Sequence, residues 1–488
     1  MKFLATNSIV FTAIAVTMSM LPSNIGAYSP VTQPALDCPR NVSSTTTDPR
    51  EKMCYYIQYN RENYDILFSL PSGFHNHLSF YIVALWRLGA NSSRMDQAFE
   101  DLSPDLCPTA FPSQGLITDD NWREYIGMNA TQISSIHYKD YQEYYERKIS
   151  EIGADAVFQE VFPEVVDGLS GDLFHGLIAL GYAVESNDTQ VLADGLAWMS
   201  TGYTPLPEMN SNPIKSSSNP IELLIAIEQD QDLPQFPGDE VGNIQRTMSD
   251  LSANYSMHLS QYDLYLGDSS ADYSYMQQAM RDVSDAILLA FASDGYTDFF
   301  LVHMLTSARA VEVLLQTVSN GWGIGPSTSG ALIEGNRLDT QRRAIAAIWK
   351  AAVYVYVARG RPQISESSLK REGMVYPDPD PTWSDIVERT ISIRDAHLQK
   401  LILLLHRNYY NRGRQDPLFI HAALQAVEYF EAGADNNRGR WYGEGDGKPK
   451  QCDVSKFLNP TITATAASLD TTTDETQQSV YGRGGEEL

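Results

Sequence analysis

Apolar residues recur at helical spacing along most of this chain, and strand alternation bounded by turn signals is nearly absent. Leu78 to Leu88 reads as an amphipathic helix closed by Gly89, and Leu173 to Glu185 as a second. Phe299 to Val318 is a long helix with small residues on one face, followed by helical runs over Arg342 to Ala358, Ile386 to Arg407 and Leu418 to Ala432. Short Gly, Pro and Asn punctuation joins the runs and no βαβ rhythm occurs, so the spacing predicts an all-α protein of antiparallel helix pairs. With 488 residues and 43% hydrophobic content, the chain has enough apolar surface for one large core. Two regions break the pattern. Residues 204–240 are dense in Pro, Ser, Asn and Asp around a short helix at Ile221 to Glu228, which predicts a surface connection or lid. Residues 458–488 are rich in Thr, Asp, Gln and Gly, the composition of a disordered tail.

The N-terminus reads as a targeting segment. Lys2 precedes the apolar run Ile9 to Leu21 and the small-residue exit Asn24-Ile-Gly-Ala27, which predicts a signal peptide over 1–27 and a secreted mature domain over 28–457, a retained anchor being the alternative. No later stretch reaches about 18 uninterrupted apolar residues, so no stable membrane insertion is expected. Cys38, Cys54, Cys107 and Cys452 all lie beyond that segment, and four cysteines in an oxidising compartment allow two disulfides in three connectivities. Sequons at Asn41, Asn129, Asn187 and Asn254 offer glycosylation sites, while a fifth, Asn91, adjoins a packed helix. The formal net charge of -26, uninterrupted by any Lys/Arg-rich run, repels phosphate backbones and excludes nucleic acid as a partner.

Only nine histidines occur, and five of them lie in apolar, helix-like stretches: His77, His175, His303, His397 and His421. A histidine facing a core needs a hydrogen-bond partner or a ligand, so several from separate segments point to one internal site. The bland account of each is a neutral imidazole that donates one N–H to a backbone carbonyl and fills space. His75 is expected to flank a helix, and His137, His258 and His406 to lie at the surface. Asp298 and Asp395 are best read as helix N-caps, and Thr306 and Ser307 as groups that either meet a substrate carbonyl or bond back to their own helix. Arg359 and Arg361 could hold a cofactor phosphate or satisfy the last carbonyls of a helix. No Gly-x-Gly-x-x-Gly follows a strand, and no His-Glu-x-x-His, Gly-x-Ser-x-Gly or P-loop is present.

The order of several segments resembles the questin oxidase-like family of fungal polyketide pathways. They are Asn76-His77 with Ala84 to Ala90, Leu173 to Glu185, Asp298 to Ser307, Trp349 with Ala358 to Pro362, and Asp395 to Lys400. The resemblance implies an oxidoreductase that opens anthraquinone-type aromatic ketones by a Baeyer–Villiger-like oxidation, with NADPH as cofactor; a bound metal ion is the alternative that the histidines themselves offer. The resemblance carries His77, His175, His303 and His397 over as catalytic or metal-ligating residues. Two departures stand out: where the family has a further histidine one turn on, this chain has Phe80 and Tyr81 in the first motif and Ala179 in the second.

Together these readings predict an internal cavity lined by the four histidines, which polarise a carbonyl, move protons or ligate a metal. Asn76, Tyr81 and Thr306 are the expected substrate-binding residues, and the partner is a hydrophobic or aromatic small molecule. A non-catalytic secreted protein that binds such a molecule in the same cavity is the alternative.

Overall fold

A computed structural model describes residues 38–39, 42–69, 74–109, 111–128, 137–206, 217–236, 244–267, 272–293, 298–316, 334–364, 382–412 and 416–432. The expected signal segment and tail, Asn41, Asn129 and Cys452 fall outside these residues. The architecture is all-α, as the periodicity requires. Among the described residues fifteen α-helices follow one another: α1 (Pro49–Asn63), α2 (Leu78–Arg87), α3 (Ser92–Leu102), α4 (Tyr138–Ile152), α5 (Ala154–Val165), α6 (His175–Ser186), α7 (Thr189–Thr201), α8 (Pro220–Glu228), α9 (Ile244–Leu259), α10 (Tyr273–Ser293), α11 (Phe299–Gln316), α12 (Glu334–Ala358), α13 (Trp383–Ser392), α14 (Ala396–Asn411) and α15 (Pro417–Ala432). Between α1 and α2 lies a small antiparallel hairpin, β1 (Leu67–Ser69) with β2 (Phe74–His75), in which Leu67 pairs with His75.

Helix α11 is the pillar. Every residue from Phe299 to Leu315 is buried, and α6, α10, α12 and α14 pack around it. A helix that is apolar on all sides must be enclosed, by protein or by lipid. Although α11 is long and apolar enough to cross a bilayer, 94% of it lies inside this bundle. Around the pillar, α6 packs on α7, α7 on α4, α2 on α1 and α14, and α14 on α15.

Local chemistry sets the helix ends. Asp48, Asn91, Asp188, Asn219 and Asp395 each accept backbone N–H bonds in the first turn of the helix that follows. Two expectations are corrected here. The run Ile386 to Arg407 is two helices, because Asp395 adopts extended backbone and caps α14 through the N–H groups of His397 and Leu398. The run beginning at Leu173 is not helical until His175, because Asp172, Leu173 and Phe174 are all left-handed. Cys38 and Cys54 form a disulfide that ties the N-terminal segment to α1; Cys107 is disulfide-bonded as well. Of the sequons, Asn254 is exposed on α9, Asn187 is half-buried at the end of α6, and the Asn91 side chain is used to cap α3.

Asp263, just beyond α9, is a local cost. Burial pushes its carboxyl up to about 6, against the opposing attraction of Lys350. Between pH ~4 and ~6 the folded state keeps a proton that the unfolded chain releases, so stability declines as pH rises through that window. Asp263→Asn is therefore expected to raise stability at pH 7 by roughly 1–2 kcal/mol, after allowance for solvent screening, in urea unfolding. Below pH ~4 the two proteins should unfold alike.

Candidate functional site

Four segments distant in sequence deliver their histidines to one point. His77 is the residue before α2, His175 opens α6, His303 lies in the second turn of α11, and His397 is the second residue of α14. All four are buried, His303 completely. Ring centroids lie 4.4 Å apart for His77 and His397, 4.8 Å for His77 and His175, 4.9 Å for His303 and His397, and 5.1 Å for His175 and His303. The fifth apolar-stretch histidine, His421, is half-buried on α15 and makes none of these ring contacts.

The protonation states follow from this packing. Burial holds all four imidazoles well below their ordinary range, and repulsion by Lys400 adds to it. They are neutral at pH 7, so each ring has one N–H and one lone pair. The hydrogen bonds assign the tautomer at two rings. His303 Nδ1 donates to the Phe299 carbonyl at 2.8 Å and His175 Nδ1 to the Asp172 carbonyl at 2.5 Å. Their Nε2 lone pairs consequently face inward. His175 Nε2 lies 2.8 Å from His77 Nε2, while His303 Nε2, fully enclosed, has no hydrogen-bond partner among the described residues.

Such an arrangement suits a metal ion. Ligand nitrogens of His77, His303 and His397 lie within 4.8 Å of one another. Metal–imidazole bonds of about 2.0–2.1 Å place neighbouring ligand atoms roughly 3 Å apart, close to the His77–His175 separation. A backbone carbonyl on Nδ1 is the usual device that orients a ligating histidine and leaves Nε2 for the metal.

The other expected site residues have different duties. Asn76 is fully engaged in shaping the backbone: its amide donates to Asn60 Oδ1 at 2.8 Å and to the Asp65 carbonyl at 2.9 Å, and its oxygen accepts from the Leu78 N–H. The Tyr81 hydroxyl accepts from Arg94, which also binds the Ile391 and Ile393 carbonyls, so this side chain ties α2 to α3 and α13. Thr306 donates back to the Val302 and His303 carbonyls at 3.1 Å, the bland one of its two readings. Asp298 and Asp395 are N-caps. Arg359 pairs with Asp298, and Arg361 donates to the Ile227, Asp230 and Leu233 carbonyls, so neither guanidinium is arranged to hold a nicotinamide cofactor's phosphate.

Sequence reasoning passed over three neighbours of the cluster. His75, on β2, stacks on His175 at 4.4 Å; the period of two between His75 and His77 was its signal. Trp198 of α7 stacks on His175 at 5.5 Å. Lys400, buried one turn beyond His397, sits over the Phe80 ring at 5.6 Å, and a lysine opening the run Leu-Ile-Leu-Leu-Leu was the mark it left in the sequence. Two cavities flank the cluster. One of about 350 Å³, counting its mouth, lies among α6, α11 and α14 and is lined by Glu185, Thr306, Arg309, Lys400 and Arg407 among others. The second, about 480 Å³, is bordered by Asn76, Phe80, Tyr138, Lys139, Ala179 and Trp198. Phe80 and Ala179, where the resemblance expects histidines, thus border one space, and the four histidine rings pack on one another beside it.

A helical bundle that gathers imidazoles from four of its helices into a buried centre belongs with the proteins that build reactive sites in a bundle core. Sequence comparison identifies which. The profile of the family described as questin oxidase-like matches residues 74–405, a span that includes all four histidines. The chain belongs to the questin oxidase-like family and is an oxidoreductase. It is 23% identical over 361 residues to oxidoreductase AflY of Aspergillus parasiticus, covering 68% of this chain and 67% of that one. It is 21% identical over 414 residues to questin oxidase of Aspergillus fumigatus, covering 76% and 84% of the two chains.

Proposed function

We propose that this protein is a secreted, metal-dependent oxidoreductase acting on an aromatic, polyketide-derived ketone, with His77, His175, His303 and His397 as the ligands of one first-row transition-metal ion. The observation that carries the reading is the enclosed Nε2 of His303, which has no hydrogen-bond partner among the described residues, beside His77 and His397, with ligand nitrogens of the three within 4.8 Å of one another and His175 Nε2 2.8 Å from His77 Nε2. A bound ion of this kind supplies oxygen activation and a Lewis acid for the ketone oxygen. The protein's own residues supply the rest. Burial keeps the imidazoles neutral, the Phe299 and Asp172 carbonyls aim two of them, and the Phe80 and Trp198 rings stack against His175 on one side. The name of one relative, questin oxidase, supports an aromatic ketone of that kind as substrate, and the family resemblance implies a Baeyer–Villiger-type oxygen insertion as the reaction. The Cys38–Cys54 disulfide is compatible with a secretory route.

Elemental analysis of protein secreted from a eukaryotic host, beside the His175→Ala variant, tests the reading. Near-stoichiometric metal in the parent, lost in the variant, is expected, together with oxygen uptake and an oxygen-inserted product on 1,8-dihydroxyanthraquinone when a two-electron reductant such as NADPH or ascorbate is supplied to take the second oxygen atom to water. A parent protein that takes up none of Fe²⁺, Mn²⁺, Cu²⁺ or Zn²⁺ on reconstitution would overturn it.

A further inference from the structure

The chain enters α6 through backbone that side chains ordinarily avoid. Asp172, Leu173 and Phe174 have φ of 49°, 50° and 67°, three successive left-handed residues, none of them glycine. That conformation is disfavoured for L side chains and persists only where the surroundings over-determine it. Here they do. Gly171 is pressed against the end of α7 so closely that a Cβ on it would lie 1.5 Å from the Gly202 carbonyl oxygen. The Asp172 carboxylate accepts the Trp198 indole N–H at 3.0 Å, and its other oxygen lies 3.6 Å from His75 Nε2. Phe174 is buried.

The reason for the turn lies in where His175 stands. His303 finds its Nδ1 acceptor in the regular helix, at the carbonyl four residues earlier. His175 is the first residue of its helix, so no preceding helical turn exists to offer one. The left-handed turn brings round the carbonyl three residues earlier instead, that of Asp172.

We propose that the left-handed turn Asp172–Phe174 is the device that fixes His175 in the tautomer with a free lone pair on Nε2, with Asp172 as its positioning residue. The main-chain carbonyl holds the Nδ1–H, and the carboxylate, anchored on Trp198, holds the turn. Trp198 also stacks on the His175 ring, with 18° between the planes, so the same anchor sets the ring's orientation. Asp172 touches neither substrate nor metal in this scheme. The inference gains its catalytic meaning from the proposed metal site, but the tautomer it assigns is a property of the metal-free protein.

Nitrogen-15 spectra of histidine-labelled, metal-free protein, assigned against His175→Gln, read that tautomer directly. A protonated Nδ1 and a bare Nε2 are expected at His175 in the parent and in Asp172→Asn, because asparagine tolerates left-handed backbone and still accepts the indole N–H. Asp172→Ala should give mixed tautomers, weaken Co²⁺ binding by about tenfold or more with a changed visible spectrum, and lower kcat at unchanged KM. Trp198→Phe removes the anchor's donor while keeping an aromatic ring beside His175, and should shift the tautomer in the same direction, which keeps the test decisive if the alanine variant does not fold. An Nε2-protonated His175 in the parent, or parental tautomer and Co²⁺ affinity in both Asp172→Ala and Trp198→Phe, overturns the proposal. A parent that binds no Co²⁺ overturns the metal site instead, and leaves the tautomer measurement to decide the role of Asp172.

Discussion

Replacing His303 by leucine is expected to abolish metal uptake and lower oxygen-dependent turnover by on the order of 10³, while the metal-free protein unfolds at equal or higher urea concentration. The two effects have opposite signs because His303 is a poor core residue and a good ligand. Its ring is fully enclosed with Nε2 lacking a hydrogen-bond partner among the described residues, and an unsatisfied buried nitrogen costs about 1–3 kcal/mol. Leucine removes that cost, fills most of the volume, and leaves the Phe299 carbonyl with its ordinary helix bond four residues on. Had His303 been a structural imidazole, the same substitution would reduce stability and spare activity. Urea unfolding of metal-free protein, set beside metal content and oxygen uptake for both proteins, separates the cases. Loss of function together with unchanged or raised stability is the pattern of a site that holds a group in an unfavourable surrounding for the sake of chemistry.

The convergence of His77, His175, His303 and His397 was legible in the sequence because helical period 3.6 reports which face of a segment is buried, and each of these histidines interrupts a buried face. Periodicity does not report where a helix starts. Three of the four histidines turn out to stand at or next to a helix N-terminus, and the Leu173 to Glu185 stretch, apolar throughout, hid the left-handed turn that sets His175. The division at Asp395 was hidden in a different way. An aspartate reads both as a surface residue of one long helix and as the cap of a second, and only the extended backbone decides between them. His75 and Lys400 escaped notice because a flanking histidine and a lysine in a helix are common at the surface; what places them is packing between segments, which no local pattern carries. Asn76 and Tyr81, the expected substrate contacts, spend polar groups on the protein itself for the converse reason. Polar groups beside a site are often consumed in building it, as the bonds of Asn76 to Asn60 and Asp65 and of Tyr81 to Arg94 illustrate.

The second large effect is expected at Glu185, on the cavity that Lys400 also lines. Its carboxylate is buried between Arg309 at 3.5 Å and Arg407, Arg309 continues to Glu312 at 3.3 Å, and Glu312 to Arg412 at 3.2 Å, while the Glu185 carbonyl accepts from Arg87. Burial alone would push this carboxyl up, but Arg407 and Arg309 outweigh it and hold it below its ordinary range, so it stays ionised at neutral pH. Glu185→Ala leaves guanidinium charges in a dry interior without their shared counter-ion, and removing one partner of a buried pair costs about 3–5 kcal/mol. Urea unfolding at pH 7 should show a loss of that size. The contribution is present above the carboxyl's unfolded value near 4.3 and disappears as pH falls through the lower folded value, so the gap between parent and variant should narrow on acidification. Equal stabilities at pH 7 would mean that water in the adjoining cavity, rather than Glu185, satisfies these arginines. Lys400 faces the same cavity, so a real loss would also raise the positive field beside the histidines, and the variant's metal affinity should fall even though Glu185 touches none of them.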